Sequence, residues 1–230
     1  MTEVVIKVRR GLKILYQVPQ ARRRIRPQYS WEDLFSFARS FGEGFLNPLQ
    51  RQNEICSFLH ETESLRAHTL MEIGTAQGGN LFMLARACTP NACVISLDLP
   101  GGEGGGGYPA WKTPIFRQIL VPGQRAFFVR GDSHAMETLE RVAAILQGNK
   151  LDVLFIDGDH SYVGAKQDFE RYKQLVRPGG IVAIHDIVPA KHHPEIEVSR
   201  LWTEIKAEHK VKEFVDDWHQ DGMGIGMVSC

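Results

Sequence analysis

The fold of this chain is decided by residues 69–79, which read TLMEIGTAQGG. A short apolar run stops at Gly74, and a helical pattern of apolar residues follows from Gly79 to Ala87. A buried strand that ends at a glycine and continues into a helix is typical of a strand–helix–strand unit. Gly74 lets the backbone turn tightly, and Gly78 lets a ligand approach the N-terminus of the helix.

Four further apolar runs also end in polar or glycine-containing residues. They lie at residues 93–98, 126–130, 151–156 and 180–184, with helical patterns near 134–147 and 162–176 between them. Apolar strands that alternate with amphipathic helices favour a parallel sheet covered on both faces.

Both ends of the chain extend this unit. Helical patterns near 31–41 and 48–64 precede it, and a helix near 195–208 follows it, before two short strands at 211–216 and 222–229. The sequence therefore predicts an α/β fold, with a doubly wound, mostly parallel seven-stranded sheet and an N-terminal helical extension. We divide the chain into a basic arm with its helical extension at 1–47 and an α/β domain at 48–230.

Composition excludes several classes of protein. Apolar residues make up 43% of the 230 residues and charged residues 23%, which excludes a disordered chain, a fibre or a coiled coil. No apolar stretch could span a membrane or serve as a secretory signal, and the four cysteines lack the C-x-x-C spacing of a zinc or redox site. We expect a cytoplasmic protein with reduced thiols and no nucleic-acid partner.

The net charge of zero is unevenly distributed along the chain, because the N-terminal segment is strongly basic. Residues 1–26 hold eight basic residues and one acidic residue, so they carry +7 while the rest of the chain carries −7. The arm is either a contact for phosphate or a membrane surface, or an amphipathic helix that docks on the chain's own acidic face or on a second subunit. We favour docking, which makes a homo-oligomer a candidate. The glycine-rich residues 101–107 predict a mobile loop beside the sheet.

Chemistry-bearing residues follow the strands. Ligands of open α/β sheets bind outside the carboxyl ends of the strands, where this chain carries Glu72, Asp98, Asp132, Asp157, Asp159, His160, His185 and Asp186. Any one of the carboxylates could simply cap a helix, but the pattern recurs at strand after strand. An acid such as Asp98 suits a ribose diol, because a carboxylate can accept hydrogen bonds from both hydroxyls. Ala76 stands at the second glycine of the dinucleotide fingerprint, which argues against an NAD(P) site.

These motifs, taken in order, resemble a known family. Glu72-x-Gly74-x-x-x-Gly78, Asp98, Gly131-Asp132-Ser133, Asp157 and Arg177-Pro178-Gly179-Gly180 resemble the successive motifs of class I S-adenosylmethionine-dependent methyltransferases, over residues 70–188. More narrowly, residues 155–162 (FIDGDHSY) and 184–186 (IHD) resemble the branch with cephalosporin-hydroxylase-type proteins and metal-dependent macrolide-sugar O-methyltransferases. Residues 1–45 match nothing specific.

The resemblance implies a Rossmann-like methyltransferase fold that binds S-adenosylmethionine. Gly74, Thr75 and Gly78 would line the methionine part of this cofactor, with Glu72 beneath it. Asp98 would bind the ribose hydroxyls, Asp132 and Ser133 would flank the adenine, and Asp157 would lie at the junction of cofactor and acceptor.

The resemblance also implies a metal and a base. The matching metal positions are Asp157, His185 and Asp186, and His160 matches the general base. His185 stands where the relatives have an acid. Magnesium prefers oxygen ligands, so this imidazole favours manganese, iron or zinc, or no metal at all, unless Asp159 supplies the missing oxygen. Alternatively, His160 is a neighbour of a helix cap, and His185 is a buried histidine bonded to Asp132 or Asp157.

The function predicted is S-adenosylmethionine-dependent methylation of a hydroxyl on a small molecule, a sugar or secondary metabolite, with His160 as base and a divalent cation such as Mg²⁺ assisting. The alternatives are an NAD(P)-dependent oxidoreductase, a mononuclear iron oxygenase that uses His160 and His185, and a non-catalytic cofactor-binding partner. A nucleic-acid methyltransferase is disfavoured, because the body of the chain is acidic.

Overall fold

A seven-stranded mixed sheet forms the centre of the molecule. The computed structural model describes residues 14–20, 23, 25, 28–101 and 107–230. The strands are β1 (Ala67–Ile73), β2 (Cys88–Asp98), β3 (Arg125–Arg130), β4 (Leu151–Ile156), β5 (Val176–His185), β6 (Val211–Phe214) and β7 (Ile225–Ser229). Their order across the sheet is β3-β2-β1-β4-β5-β7-β6.

The strand directions confirm the predicted topology. β1 to β5 pair in parallel, whereas β7 runs antiparallel to both β5 and β6. β1 lies at the centre, with Leu70 aligned to Val94 of β2 on one side and to Val153 of β4 on the other. The chain order reverses on the two sides of β1, which is where open α/β sheets bind ligands.

Helices cover both faces of the sheet. They are α1 (Trp31–Ser40), α2 (Gln52–Thr62), α3 (Gly79–Ala87), α4 (Thr113–Ile119), α5 (Met136–Leu146), α6 (Tyr162–Lys173) and α7 (Val198–Glu208). Residues 14–20 are also helical. Alternate strand residues face opposite ways: Leu70 packs in one apolar cluster with residues of α1 to α4, and Met71 packs in the other with residues of α5 to α7.

The N-terminal extension shares this core. Ser30 caps α1 by accepting from the Asp33 amide, while the Asp33 carboxylate accepts from the Ser30 amide. Trp31 and Phe35 of α1 are buried in the same apolar cluster as Phe82 of α3. Most of the basic arm lies outside the described residues, so its phosphate, membrane or subunit contact stays a prediction.

Several boundaries differ from the prediction. The second helix begins at Gln52, after an irregular stretch, and not at Pro48. β2 begins at Cys88, before Pro90, and β5 begins at Val176, before Pro178. Both starts are earlier than predicted, because irregular pairing with a neighbouring strand extends each strand at its amino end. The sequence patterns did not predict α4. Most of the predicted mobile loop, residues 102–106, lies outside the described part of the chain. Among the residues that the structure describes, no helix is long and apolar enough to cross a membrane.

Candidate active site

The glycine loop after β1 packs directly against the end of β4. Gly74 has φ +86°, and a Cβ there would lie 1.8 Å from the carbonyl oxygen of Asp157. The Gly74 amide donates to Leu97 of β2, and the Asp157 amide donates to Ile73. Gly78 has φ +82°, and the ring of Phe116 fills the space of its Cβ. The ends of β1, β2 and β4 therefore meet at the glycine loop, as the sequence predicts.

A buried series of hydrogen bonds holds the glycine loop in place. Thr75 donates to Glu72 Oε2 at 2.7 Å, and Thr75 Oγ1 also lies 2.7 Å from Ser96 Oγ. Ser96 in turn lies 2.9 Å from the hydroxyl of Tyr108. Burial raises the pKa of Glu72 to about 8, against the hydrogen bonds from Thr75 and Asn80. Glu72 and Thr75 are both buried, so each supports the shape of the loop.

Asp98 closes β2 beside the same loop. Its Oδ2 accepts from the amide of Ala76 at 2.7 Å, and Ala76 adopts a left-handed φ of +46°. Burial raises the pKa of Asp98, although several backbone amides donate to it. The carboxylate predicted to bind ribose thus lies next to the turn predicted to hold methionine.

Asp132 and Ser133 form the loop after β3. The Asp132 side chain is 54% exposed, and its Oδ1 accepts from the His134 amide at 2.8 Å. The carbonyl of Ser133 accepts from the hydroxyl of Tyr172 on α6 at 2.9 Å. This loop is therefore held by its backbone and by one oxygen of the Asp132 carboxylate, while about half of that side chain stays open to solvent.

Two carboxylates and two imidazoles meet where β4 and β5 end. His185 Nδ1 lies 3.1 Å from Asp157 Oδ1 and 3.4 Å from Asp186 Oδ2. His160 Nε2 lies 3.5 Å from Asp157 Oδ1, and His160 Nδ1 lies 3.8 Å from Asp186 Oδ2. Asp186 has φ +63°, and its Oδ1 accepts from the amide of Met223 at 2.9 Å.

The opposite charges in this cluster shift each other's pKa. Burial lowers the pKa of His185, but Asp157 and Asp186 outweigh it and hold that pKa well above its usual value. Burial likewise opposes the lowering of the pKa of both Asp157 and Asp186 by His185. Pairing with Asp157 raises the pKa of His160. The four side chains are therefore electrostatically one unit.

Exposure separates the two histidines. The side chain of His160 is 39% exposed, whereas that of His185 is 4% exposed and its Nε2 is buried without a hydrogen-bond partner. His185 is a buried histidine hydrogen-bonded to Asp157, which is one of the alternatives that the sequence analysis gave for it. His160 is the imidazole of this cluster that a dissolved molecule can reach.

A candidate metal site contains His160. Within the described part of the chain, Asp157, His160 and Asp186 offer ligand atoms that all lie within 4.8 Å of one another. The sequence pointed to His185 as the third ligand, and that assignment stays a prediction. Asp159 does not join this group: its Oδ1 accepts from the amide of Ser161 at the start of α6, at 2.8 Å.

Sequence reasoning missed Gln50. This residue precedes α2 and is 6% exposed, and its Nε2 donates to Asp157 Oδ2 at 2.7 Å. Its Oε1 is buried and has no partner. No motif marks Gln50, because it lies 107 residues before the carboxylate that it contacts.

Comparison with known proteins identifies the family. A family model described as a methyltransferase domain matches residues 71–187, from β1 to just beyond β5. The chain belongs to this methyltransferase family. An uncharacterised protein, R132, from Acanthamoeba polyphaga mimivirus is 34% identical over 143 residues, which are 60% of this chain and 61% of R132. The chain spans between 17% and 61% of the length of the curated relatives described as y4gI, R132 and a mouse catechol O-methyltransferase domain-containing protein.

Solved structures confirm the fold of the chain. An O-methyltransferase from Bacillus cereus in complex with SAH has a TM-score of 0.56 at 19% identity, over 90% of this chain and 93% of that one. The MycE methyltransferase of mycinamycin biosynthesis, in complex with Mg, SAH and mycinamycin VI, has a TM-score of 0.55 at 17% identity, over 88% of this chain and 55% of that one. The fold is that of class I S-adenosylmethionine-dependent methyltransferases, as the motifs predicted.

Proposed function

We propose that this methyltransferase transfers a methyl group from S-adenosylmethionine to a hydroxyl of a small molecule. The observation that carries the proposal is the meeting of the glycine loop with Asp157, while the exposed imidazole of His160 lies within 3.5 Å of the same carboxylate. A cofactor site and an accessible base are thus adjacent. The SAH-bound methyltransferases with this fold support the same donor.

The residues present fit the cofactor. Asp98 offers a carboxylate at the end of β2 for ribose hydroxyls, and the loop of Asp132 and Ser133 lies at the end of β3 for adenine. Gln50 Oε1 adds a buried acceptor without a donor beside Asp157. Gly74 and Gly78 would line the methionine part, with Glu72 and Thr75 holding the loop in shape. When bound, S-adenosylmethionine supplies a methyl group on a sulfonium, which is already a good leaving group.

His160 would accept the proton of the acceptor hydroxyl. A neutral alcohol is a weak nucleophile, and a positioned base with a pKa near neutrality increases its reactivity. His160 combines access to solvent with two carboxylates that stabilise the imidazolium formed when it takes the proton. Asp157 and Asp186 would thus orient the base as well as favour its charged form.

Asp157, Asp186 and a histidine would hold a divalent ion. Their donor set combines carboxylate oxygens with imidazole nitrogen, which suits manganese, iron or zinc better than the all-oxygen preference of magnesium. Such an ion would supply positive charge near the acceptor oxygen and lower the pKa of that hydroxyl.

Calorimetric titration with S-adenosylmethionine and SAH tests the donor. We expect both to bind, and failure of both to bind would overturn the proposal. The base is tested by SAH release over a panel of sugars and other hydroxylated small molecules. His160→Gln should lower turnover by about 10²-fold or more, with SAH binding retained. His68→Gln, at the amino end of β1 and so at the opposite end of the strand from the glycine loop, is the matched control. Equal turnover of the two variants would contradict the role of His160.

A further inference from the structure

The segment just before α2 lies on the glycine loop and the start of α3. A Cβ at Gly79 would lie 2.1 Å from the carbonyl oxygen of Leu46 and 2.6 Å from the nitrogen of Pro48. The backbone at 46–48 therefore rests against the first residue of α3. From there the chain reaches Gln50, whose amide group contacts Asp157 on the other side of the loop.

The orientation of the Gln50 amide is fixed by its partner. An ionised carboxylate only accepts hydrogen bonds, so the nitrogen of Gln50 must face Asp157 Oδ2, at 2.7 Å. The oxygen of the amide is then left buried with no donor. Buried acceptors in native proteins are nearly always satisfied, so an orphaned one beside a ligand site points to a donor on the ligand.

We propose that Gln50 Oε1 accepts a hydrogen bond from the α-ammonium group of the methionine part of S-adenosylmethionine. This inference rests on the proposed function. The donors of the cofactor are its ribose hydroxyls, its adenine amino group and its α-ammonium. The first two are assigned to Asp98 and to the loop of Asp132, which leaves the ammonium for the acceptor beside the glycine loop. The neighbouring carboxylate of Asp157 favours a cation at the same place.

The test compares two ligands that differ in the amino-acid part. SAH carries the ammonium, whereas 5′-methylthioadenosine has the same nucleoside without the amino acid. Calorimetric titration of Gln50→Leu should show SAH binding that is about tenfold or more weaker, because a hydrogen bond to a charged group is lost, while methylthioadenosine binding changes less than about twofold. Gln52→Leu, two residues further on, should leave both affinities unchanged.

The outcomes are distinguishable. If the wild type binds neither ligand, the proposed function itself fails. If SAH binds and Gln50→Leu leaves its affinity unchanged, or weakens both ligands equally, the assignment of Gln50 is wrong. Titration with Mn²⁺ alone forms a third arm, because selective loss of Mn²⁺ affinity would assign the oxygen to a metal instead. Gln50→Met, which keeps the length of the side chain, repeats the comparison if Gln50→Leu does not fold.

Discussion

Removal of His134 should destabilise the protein by stranding a buried carboxylate. Asp168 on α6 is fully buried, and neither of its carboxylate oxygens has a hydrogen-bond partner. The imidazole of His134 faces it, with Nε2 3.4 Å from Asp168 Oδ1. Asp132 Oδ1 lies 3.7 Å from the other nitrogen of His134, and Arg171 donates to the His134 carbonyl.

The magnitude follows from the burial of the pair. Loss of one partner of a buried ion pair costs about 3–5 kcal/mol, and the lower end applies because the side chain of His134 is 24% exposed. We expect His134→Leu to lower the free energy of unfolding by about 3 kcal/mol, a fall in Tm of roughly 6–12 °C for a chain of this size. The double variant His134→Leu/Asp168→Leu should recover at least half of that loss, because it removes the unpaired charge.

The pair of His134 and Asp168 should also make the free energy of unfolding depend on pH. Pairing with Asp168 raises the pKa of His134, against the effect of burial. A raised pKa in the folded state adds stability that is fully present below the unfolded value, about 6.5, and is lost as pH rises through the folded value. The wild type should therefore lose stability relative to the double variant as the pH rises above about 6.5.

Urea unfolding followed by tryptophan fluorescence measures these changes at each pH. The reasoning is refuted if His134→Leu lowers the free energy of unfolding by less than about 1 kcal/mol. It is refuted as well if the loss in the double variant equals the sum of the losses in His134→Leu and Asp168→Leu. It is also refuted if the wild type gains stability relative to the double variant as the pH rises.

Three other changes test the packing and the metal site. Glu54→Ala should lower the free energy of unfolding by about 3 kcal/mol in urea titration, because this buried carboxylate accepts from one side chain and two backbone amides near β7. Gly74→Ala should abolish SAH binding and sharply destabilise the fold, since its Cβ would collide with backbone, whereas Gly148→Ala, with a similar φ and open space, should cost only about 1 kcal/mol by thermal unfolding. Asp186→Ala should remove Mn²⁺ binding in calorimetry, and Asp159→Ala, which removes a contact outside the site, should leave it intact; the reverse result would contradict the donor set.

The sequence predicts the sheet because each strand signal is local. Apolar runs such as residues 151–156 bury on both faces, so their composition alone indicates central parallel strands. The extra length of β2 and β5 escaped prediction because it depends on irregular pairing with neighbours, and proline and glycine signals at 178–180 read locally as a turn. α4 was missed because it is a single short helix of seven residues.

The candidate site, like the sheet, was predicted only in part. Asp157, His160 and Asp186 follow strands whose ends must meet, so topology alone brings them together. Gln50 is held by tertiary packing of the segment before α2 on Gly79, which no local pattern encodes. The orientation of His160 relative to His185 is also a tertiary property, because it depends on which imidazole the sheet encloses.

The two roles considered for His160 constrain each other. An imidazole nitrogen that binds a metal ion has no lone pair left to accept a proton, and the two nitrogens of His160 face different carboxylates. If one nitrogen is a ligand, the other carries the remaining N–H and has no free lone pair, so His160 cannot also act as base. If His160 keeps both nitrogens free, the ion has only Asp157 and Asp186 from this cluster, unless the enclosed Nε2 of His185 becomes accessible. His185, at a position where the resemblance implies an acid, would therefore affect the proposed base as well as the proposed metal site, since its accessibility decides whether His160 is needed as a ligand.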